Sequence, residues 1–135
     1  MNPIKGHIII EGLDKTGKST LATYLQNEFG LSVKKFNAPK KDPTKEYLDF
    51  ITKEKEPHII DRCYVSELVY GPLKRGKSYV SEQDRKKIER ACLKHNVTVI
   101  YCYADKEVLK KRFKDDKETF TKLKDIEPLQ EAYGA

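Results

Sequence analysis

The stretch Glu11-Gly12-Leu13-Asp14-Lys15-Thr16-Gly17-Lys18-Ser19-Thr20 holds the spacing Gly-x-x-x-x-Gly-Lys-Ser between Gly12 and Ser19. Glycines at both ends let the backbone curl so that successive N–H groups point inward at phosphate oxygens, and the helix that follows adds the positive end of its dipole. Lys18 then reaches the β- and γ-phosphates of a bound nucleotide. Ser19 offers a hydroxyl oxygen to the magnesium ion that bridges those two phosphates, and Thr20 is a second hydroxyl nearby. Gly12, with the run Lys15, Thr16, Gly17, Lys18, Ser19 and Thr20, is thus the expected seat of ATP, with Mg2+ on Ser19. A glycine-rich turn with an incidental lysine is the competing reading, and the flanks argue against it. An Ile-rich strand from His7 to Glu11 enters the loop, and a helix from Lys18 to Phe29 leaves it, which is the setting the motif requires.

Working outward, Leu21, Tyr24, Leu25 and Phe29 recur at helical spacing before Gly30 stops the helix. Leu31 to Phe36 reads as a second strand. Pro39 and Pro43 break the chain ahead of a helix from about Thr44 to Lys55, which Pro57 closes. His58 to Asp61 is a third short strand, ending on a carboxylate where parallel sheets gather functional groups. Ser66 to Tyr70 reads as helical and Gly71-Pro72 as a turn. Ser81 and Asp84 open a helix that buries Ile88, Ala91 and Cys92 and ends near Asn96, and Val97 to Tyr103 is the fourth strand. Asp105 caps a helix to about Lys114, residues 115–124 form a candidate lid, and Pro128 interrupts a last helical segment. Strands alternating with helices imply right-handed crossovers and a parallel sheet covered on both faces. The expectation is one three-layer α/β domain over residues 1–135.

Composition narrows the class. A chain of 135 residues with 38% apolar and 36% charged residues has room for one modest core. The early aliphatic run Ile8-Ile9-Ile10 is far shorter than the roughly 20 residues of a membrane span, so neither insertion nor export is expected. Cys63, Cys92 and Cys102 are odd in number and lack CxxC spacing, which suits buried thiols in a reducing cytoplasm better than a disulfide framework. His7, His58 and His95 lack metal-ligand spacing and read as packing or capping residues. The net charge of +6 would suit a nucleic-acid partner, but the lysines are spread along the chain. Solvated helix faces account for most of them, and the positive field still attracts small anionic nucleotides.

The loop Glu11 to Thr20 resembles that of thymidylate kinases, whose pattern is EGxDxxGK[ST]T. A second block, Asp61-Arg62-Cys63-Tyr64-Val65-Ser66-Glu67-Leu68-Val69-Tyr70, resembles that family's DRxxxSxxxY segment. Over about His7 to Tyr133 the chain is similar to the short thymidylate-kinase-like proteins that bacteriophages encode, so a viral origin, and with it a host cytoplasm, is plausible. The resemblance implies a P-loop kinase fold that passes the γ-phosphoryl group of ATP to a deoxynucleoside 5′-monophosphate, dTMP or a related pyrimidine. It further implies that Arg62 binds the acceptor phosphate and that Asp14 contacts the sugar hydroxyl. Ser66 and Tyr70 belong to the same acceptor side, and Asp61 helps hold the hydrated magnesium. Thymidylate kinases supply the charge for phosphoryl transfer from an arginine after the loop aspartate or from lid arginines. No arginine lies in 115–124, so Lys15 is the expected catalytic cation beside Lys18 and Arg62.

Three departures qualify the likeness. Asn37-Ala38-Pro39 stands where the family has Arg-Glu-Pro; only Pro39 to Pro57 separates the second and third strands; and the fifth strand and closing helix of the order 2-3-1-4-5 are absent from the sequence pattern, giving an expected order of 2-3-1-4. A hydroxyl acceptor, whether a nucleoside or a modified base in DNA, would need a carboxylate base. Glu11, Asp61 and Glu67 remain candidates for that role. A phosphate monoester, with its second pKa near 6, needs no such base. A nucleotide-binding module without turnover is the third reading, and the sequence leaves a homodimer open.

Overall fold

The computed structural model describes residues 4–13, 16–104, 107, 108, 111 and 133. Asp14, Lys15 and the candidate lid at 115–124 lie outside them, as does most of the helix expected from Asp105 and all of the segment around Pro128. Four strands, β1 (Ile8–Glu11), β2 (Ser32–Lys34), β3 (His58–Asp61) and β4 (Thr98–Tyr101), form one parallel sheet in the order β2-β3-β1-β4. This is the expected order, in a P-loop kinase fold. Helices α1 (Lys18–Phe29), α2 (Thr44–Lys53), α3 (Tyr64–Arg75) and α4 (Glu82–Lys94) fill the connections.

The central strands are apolar on both faces because both are covered. Alternation along the chain sends Ile8 and Ile10 of β1, with Ile59 of β3, toward Leu25 of α1. Ile9 and Ile60, paired in register, face the other way, toward Ile51 of α2 and Ile88 and Cys92 of α4. Burying each such side chain contributes on the order of 1.5–3 kcal/mol. The α1 stripe is narrower than its spacing implies: Leu25 is buried, whereas Tyr24 and Phe29 are exposed. Gly30 caps that helix in the left-handed conformation, its N–H reaching the Gln26 carbonyl.

One element runs against the sequence reading. Gly71-Pro72 is expected to turn, yet α3 continues through both to Arg75 and stops at Gly76. A proline removes one helical N–H donor but keeps a helical φ, so it weakens a helix without always ending it. Here Gly71 is buried, and a Cβ on it would come within 3.0 Å of the Lys77 carbonyl oxygen and the Ser78 Cα, so packing of the following segment holds the turn in place. Ser81 caps α4 as expected, accepting a hydrogen bond from the Asp84 N–H at 3.1 Å. Cys63 and Cys92 are buried and Cys102 is half-buried, all as free thiols. Among the described residues, no helix is long and apolar enough to cross a membrane.

Candidate active site

The loop that opens α1 is shaped by contacts at both ends. Gly12 has φ +140°, and a Cβ there would meet the Cys102 carbonyl oxygen at 2.4 Å, so only glycine fits. Leu13 is fully buried against Val69 and Tyr70, which pins the loop to α3. The Thr16 hydroxyl donates to the Leu13 carbonyl at 2.7 Å, so Thr16 closes the loop as well as lining it. Gly17 takes φ +96° at the α1 N-cap, and no side chain caps the helix. Its first N–H groups are therefore presented to an anion. Ser19 and Thr20 are exposed on that first turn.

Parallel pairing of β1 with β3 brings the second motif to the same sheet edge. Lys18 Nζ lies 3.6 Å from Asp61 Oδ1, and Lys35 Nζ lies 3.5 Å from Asp61 Oδ2. The half-buried Asp61 carboxylate thus sits between two cations. Arg62 follows with a left-handed φ of +69°; its N–H donates to the Ile10 carbonyl at 2.9 Å. Its guanidinium donates from Nη2 to the Gly12 carbonyl at 3.2 Å and lies over the Tyr70 ring at 5.1 Å. The two carboxylates beside Arg62 in the sequence block, Asp61 and Glu67, pair with other cations. Asp61 takes the lysines, and Glu67 takes both hydrogen bonds from Arg75 at 2.5 Å.

Glu11 and Glu67 are structural here. Glu11, 1% exposed, accepts from the Cys63 N–H at 2.9 Å, the Ser66 N–H at 3.2 Å and the Ser66 hydroxyl at 2.5 Å. Burial pushes its carboxyl pKa up, while those hydrogen bonds and Arg62 pull it back down. A carboxylate so enclosed fixes the β3–α3 turn that carries Arg62 and is shielded from an acceptor. Glu67 also accepts from the Tyr79 N–H at 2.7 Å. Of the three carboxylates open as a base for a hydroxyl acceptor, only Asp61 is still near the loop with solvent access. Sequence spacing does not reveal Glu11's role, because its partners lie 52 and 55 residues away.

A cavity of about 310 Å3 opens beside Arg62, lined by Phe36, Asn37, Tyr47, Ser66, Tyr70 and Lys74 among others. Arg62, Ser66 and Tyr70, expected together on the acceptor side, are together here. The Ser66 hydroxyl also meets the Tyr133 hydroxyl at 3.0 Å, and Tyr133 stacks on Tyr101 at 5.3 Å. Lys35 and Tyr47 were not singled out by any motif. Asp61 and Ser19 present hard oxygen atoms at the strand and helix ends that flank the loop, a donor set that suits Mg2+.

No established family profile matches the chain. The SPbeta prophage-derived protein YorR of Bacillus subtilis is 33% identical over 130 residues, which cover 93% of this chain and 78% of that protein. The crystal structure of YorR from Bacillus subtilis in complex with phosphorylated GDP superposes with a TM-score of 0.78 at 28% identity, over 94% of this chain and 76% of the other. A gluconokinase from Sinorhizobium meliloti 1021 has a TM-score of 0.61 at 11% identity, over 97% of this chain and 76% of its own. Deoxyadenosine kinase from M. mycoides, with bound dATP, has a TM-score of 0.58 at 16% identity, over 96% and 82%. These last two share the fold.

Proposed function

The chain belongs to the family of the prophage-derived protein YorR, and from that premise we propose that it is an ATP-dependent nucleoside monophosphate kinase. The observation that carries this reading is the meeting of two anion-binding elements on adjacent strand ends. Lys18 of the phosphate loop stands 3.6 Å from Asp61, and the next residue, Arg62, is tied to Gly12 of that loop at 3.2 Å. Donor phosphates on the loop and an acceptor phosphate on Arg62 would then be neighbours.

In this reading the loop N–H groups and Lys18 hold the donor triphosphate. Lys15, which follows the loop aspartate in sequence, and Lys35, placed by its contact with Asp61, supply further positive charge. Asp14 meets the acceptor sugar, and Arg62 holds the acceptor phosphate through its planar fork. An oxygen of that phosphate, already an anion near neutral pH, attacks the γ-phosphorus as the bond to the β-bridging oxygen breaks. No proton need be removed, which agrees with the structural use of Glu11 and Glu67. Magnesium held by Ser19 and Asp61 would supply charge neutralisation across the donor phosphates. A cytoplasmic setting belongs to the same proposal and suits the free thiols.

The acceptor base is the finer question. The thymidylate-kinase resemblance favours dTMP or a related pyrimidine, and the phosphorylated GDP bound to YorR brings guanine nucleotides into the comparison. Purified protein with ATP and magnesium should be offered each common nucleoside and deoxynucleoside monophosphate, free nucleosides and duplex DNA, with products separated by chromatography. A diphosphate from one or a few monophosphates is expected. Transfer to nucleosides or DNA alone would replace this reading with a hydroxyl kinase using Asp61.

A further inference from the structure

The wall of the acceptor cavity contains one hydroxyl that the fold itself does not use. Tyr47, on α2, is 3% exposed, lines the cavity and packs edge-on against Phe36 at 4.9 Å. Among the described residues no hydrogen bond reaches its phenol oxygen, and that oxygen is not sealed into the core. Two other polar side chains of the lining are engaged: Ser66 with Glu11 and Tyr133, and Glu67 with Arg75 and the Tyr79 N–H. Burial raises the Tyr47 pKa, with Cys63 and Glu67 adding to the shift. The group is therefore a neutral hydroxyl, able both to donate and to accept.

A hydroxyl that faces the cavity without a protein partner is left to solvent in the free protein, and a ligand that fills the cavity must either hydrogen-bond it or leave it unpaired at a cost. Phenylalanine would fill the same space, so packing alone gives no reason for tyrosine. On the reading above, Arg62 fixes the phosphate end of the acceptor, which leaves Tyr47 and Phe36 for its nucleoside half. We propose that Tyr47 is a specificity-determining residue, whose hydroxyl hydrogen-bonds a polar group on the nucleoside half of the acceptor, on the base edge or the sugar. The inference rests on the acceptor-site reading. A site built to hydrogen-bond its substrate discriminates strongly against analogues lacking the matching group, so Tyr47 would do for the nucleoside what Arg62 does for the phosphate.

The test is equilibrium binding to the full chain and to Tyr47→Phe, using the common nucleosides, their 5′-monophosphates and the 2′,3′-dideoxynucleoside monophosphates. The variant should bind the preferred ligand about tenfold or more weakly, with a melting temperature equal to or above that of the parent. Loss of discrimination among bases would place the contact on the base, and loss of discrimination against dideoxy sugars would place it on the sugar. Affinity within twofold for the preferred ligand overturns the proposal, as does a melting temperature lowered by several degrees, which would reveal an internal partner for the phenol. Turnover by the parent is measured separately. Parent protein that binds ligands yet makes no diphosphate removes the kinase reading alone, whereas unchanged binding by Tyr47→Phe removes only this inference. Parent protein that binds none of the panel removes both.

Discussion

On the proposed reading Lys18 and Arg62, at the same end of the sheet, meet different substrates, so their substitutions should separate in kinetics. Lys18 would then place its charge on the donor phosphates, where negative charge is redistributed during transfer. Lys18→Ala should lower kcat by roughly 10²–10³-fold. The Asp61 carboxylate it faces at 3.6 Å keeps a second cation, Lys35 at 3.5 Å, when Lys18 is removed, so no buried charge is left unpaired. The melting temperature should therefore hold, and a variant with near-normal turnover would show that the loop is not catalytic. Arg62→Met keeps an apolar stem over Tyr70 but loses the fork. The acceptor KM should rise tenfold or more while the ATP KM stays within about twofold. Steady-state kinetics varying each substrate in turn checks this, and equal weakening of both would assign Arg62 to holding Gly12 in place.

At the scale of elements, the strand, loop and helix from Ile8 to Phe29 were legible because every signal is local: an aliphatic run, two glycines at fixed spacing, a helical stripe and a glycine stop. The β3–α3 turn was legible only in its residue types. Which carboxylate holds it depends on Glu11 reaching across the β1–β3 pairing, and no sequence periodicity encodes that reach. The same limit explains α3: local rules end it at Tyr70 and turn the chain at Gly71-Pro72, while packing of the Lys77–Ser78 backbone against Gly71 carries it to Arg75. Tyr47 escaped notice because, in a helical stripe with Leu48 and Ile51, a tyrosine looks like core. Glu11→Ala would strand three donors, two of them backbone N–H groups. It should cost about 1–3 kcal/mol in urea unfolding and raise the acceptor KM more than that for ATP. Glu11→Gln keeps a carbonyl oxygen for the Cys63 and Ser66 N–H groups, and the Ser66 hydroxyl can turn to accept from the new amide. It should retain most of both properties, and a Gln variant as impaired as the Ala variant would make the negative charge itself the requirement.

On the scale of the whole molecule, a parallel sheet has two unlike ends, and this one carries titratable groups at both. At the end remote from the loop, His7 is buried and its Nδ1 accepts from the His58 N–H at 2.9 Å. Burial first, and the neighbouring His58 second, lower its pKa below 6.5. As pH falls below about 6.5 the unfolded chain takes up a proton that the folded chain refuses. The stability His7 contributes is therefore present above that pH and is lost on acidification, until the pH passes the folded pKa. The slope it adds is at most about 1.4 kcal/mol per pH unit. Urea unfolding at pH 7.5 and pH 5.5 should show the difference shrink in His7→Gln, whose amide oxygen can still accept from His58; an unchanged difference would move the effect to other groups. Four residue steps of extended chain lead from His7 to Glu11, roughly 13 Å at the rise of a strand, beyond the range over which substitutions usually couple. The two ends of a single strand should therefore respond to substitution independently. Changes around His7 that strengthen the fold should add independently to changes around Glu11, providing a reserve from which new acceptor specificities can be selected without loss of the folded state.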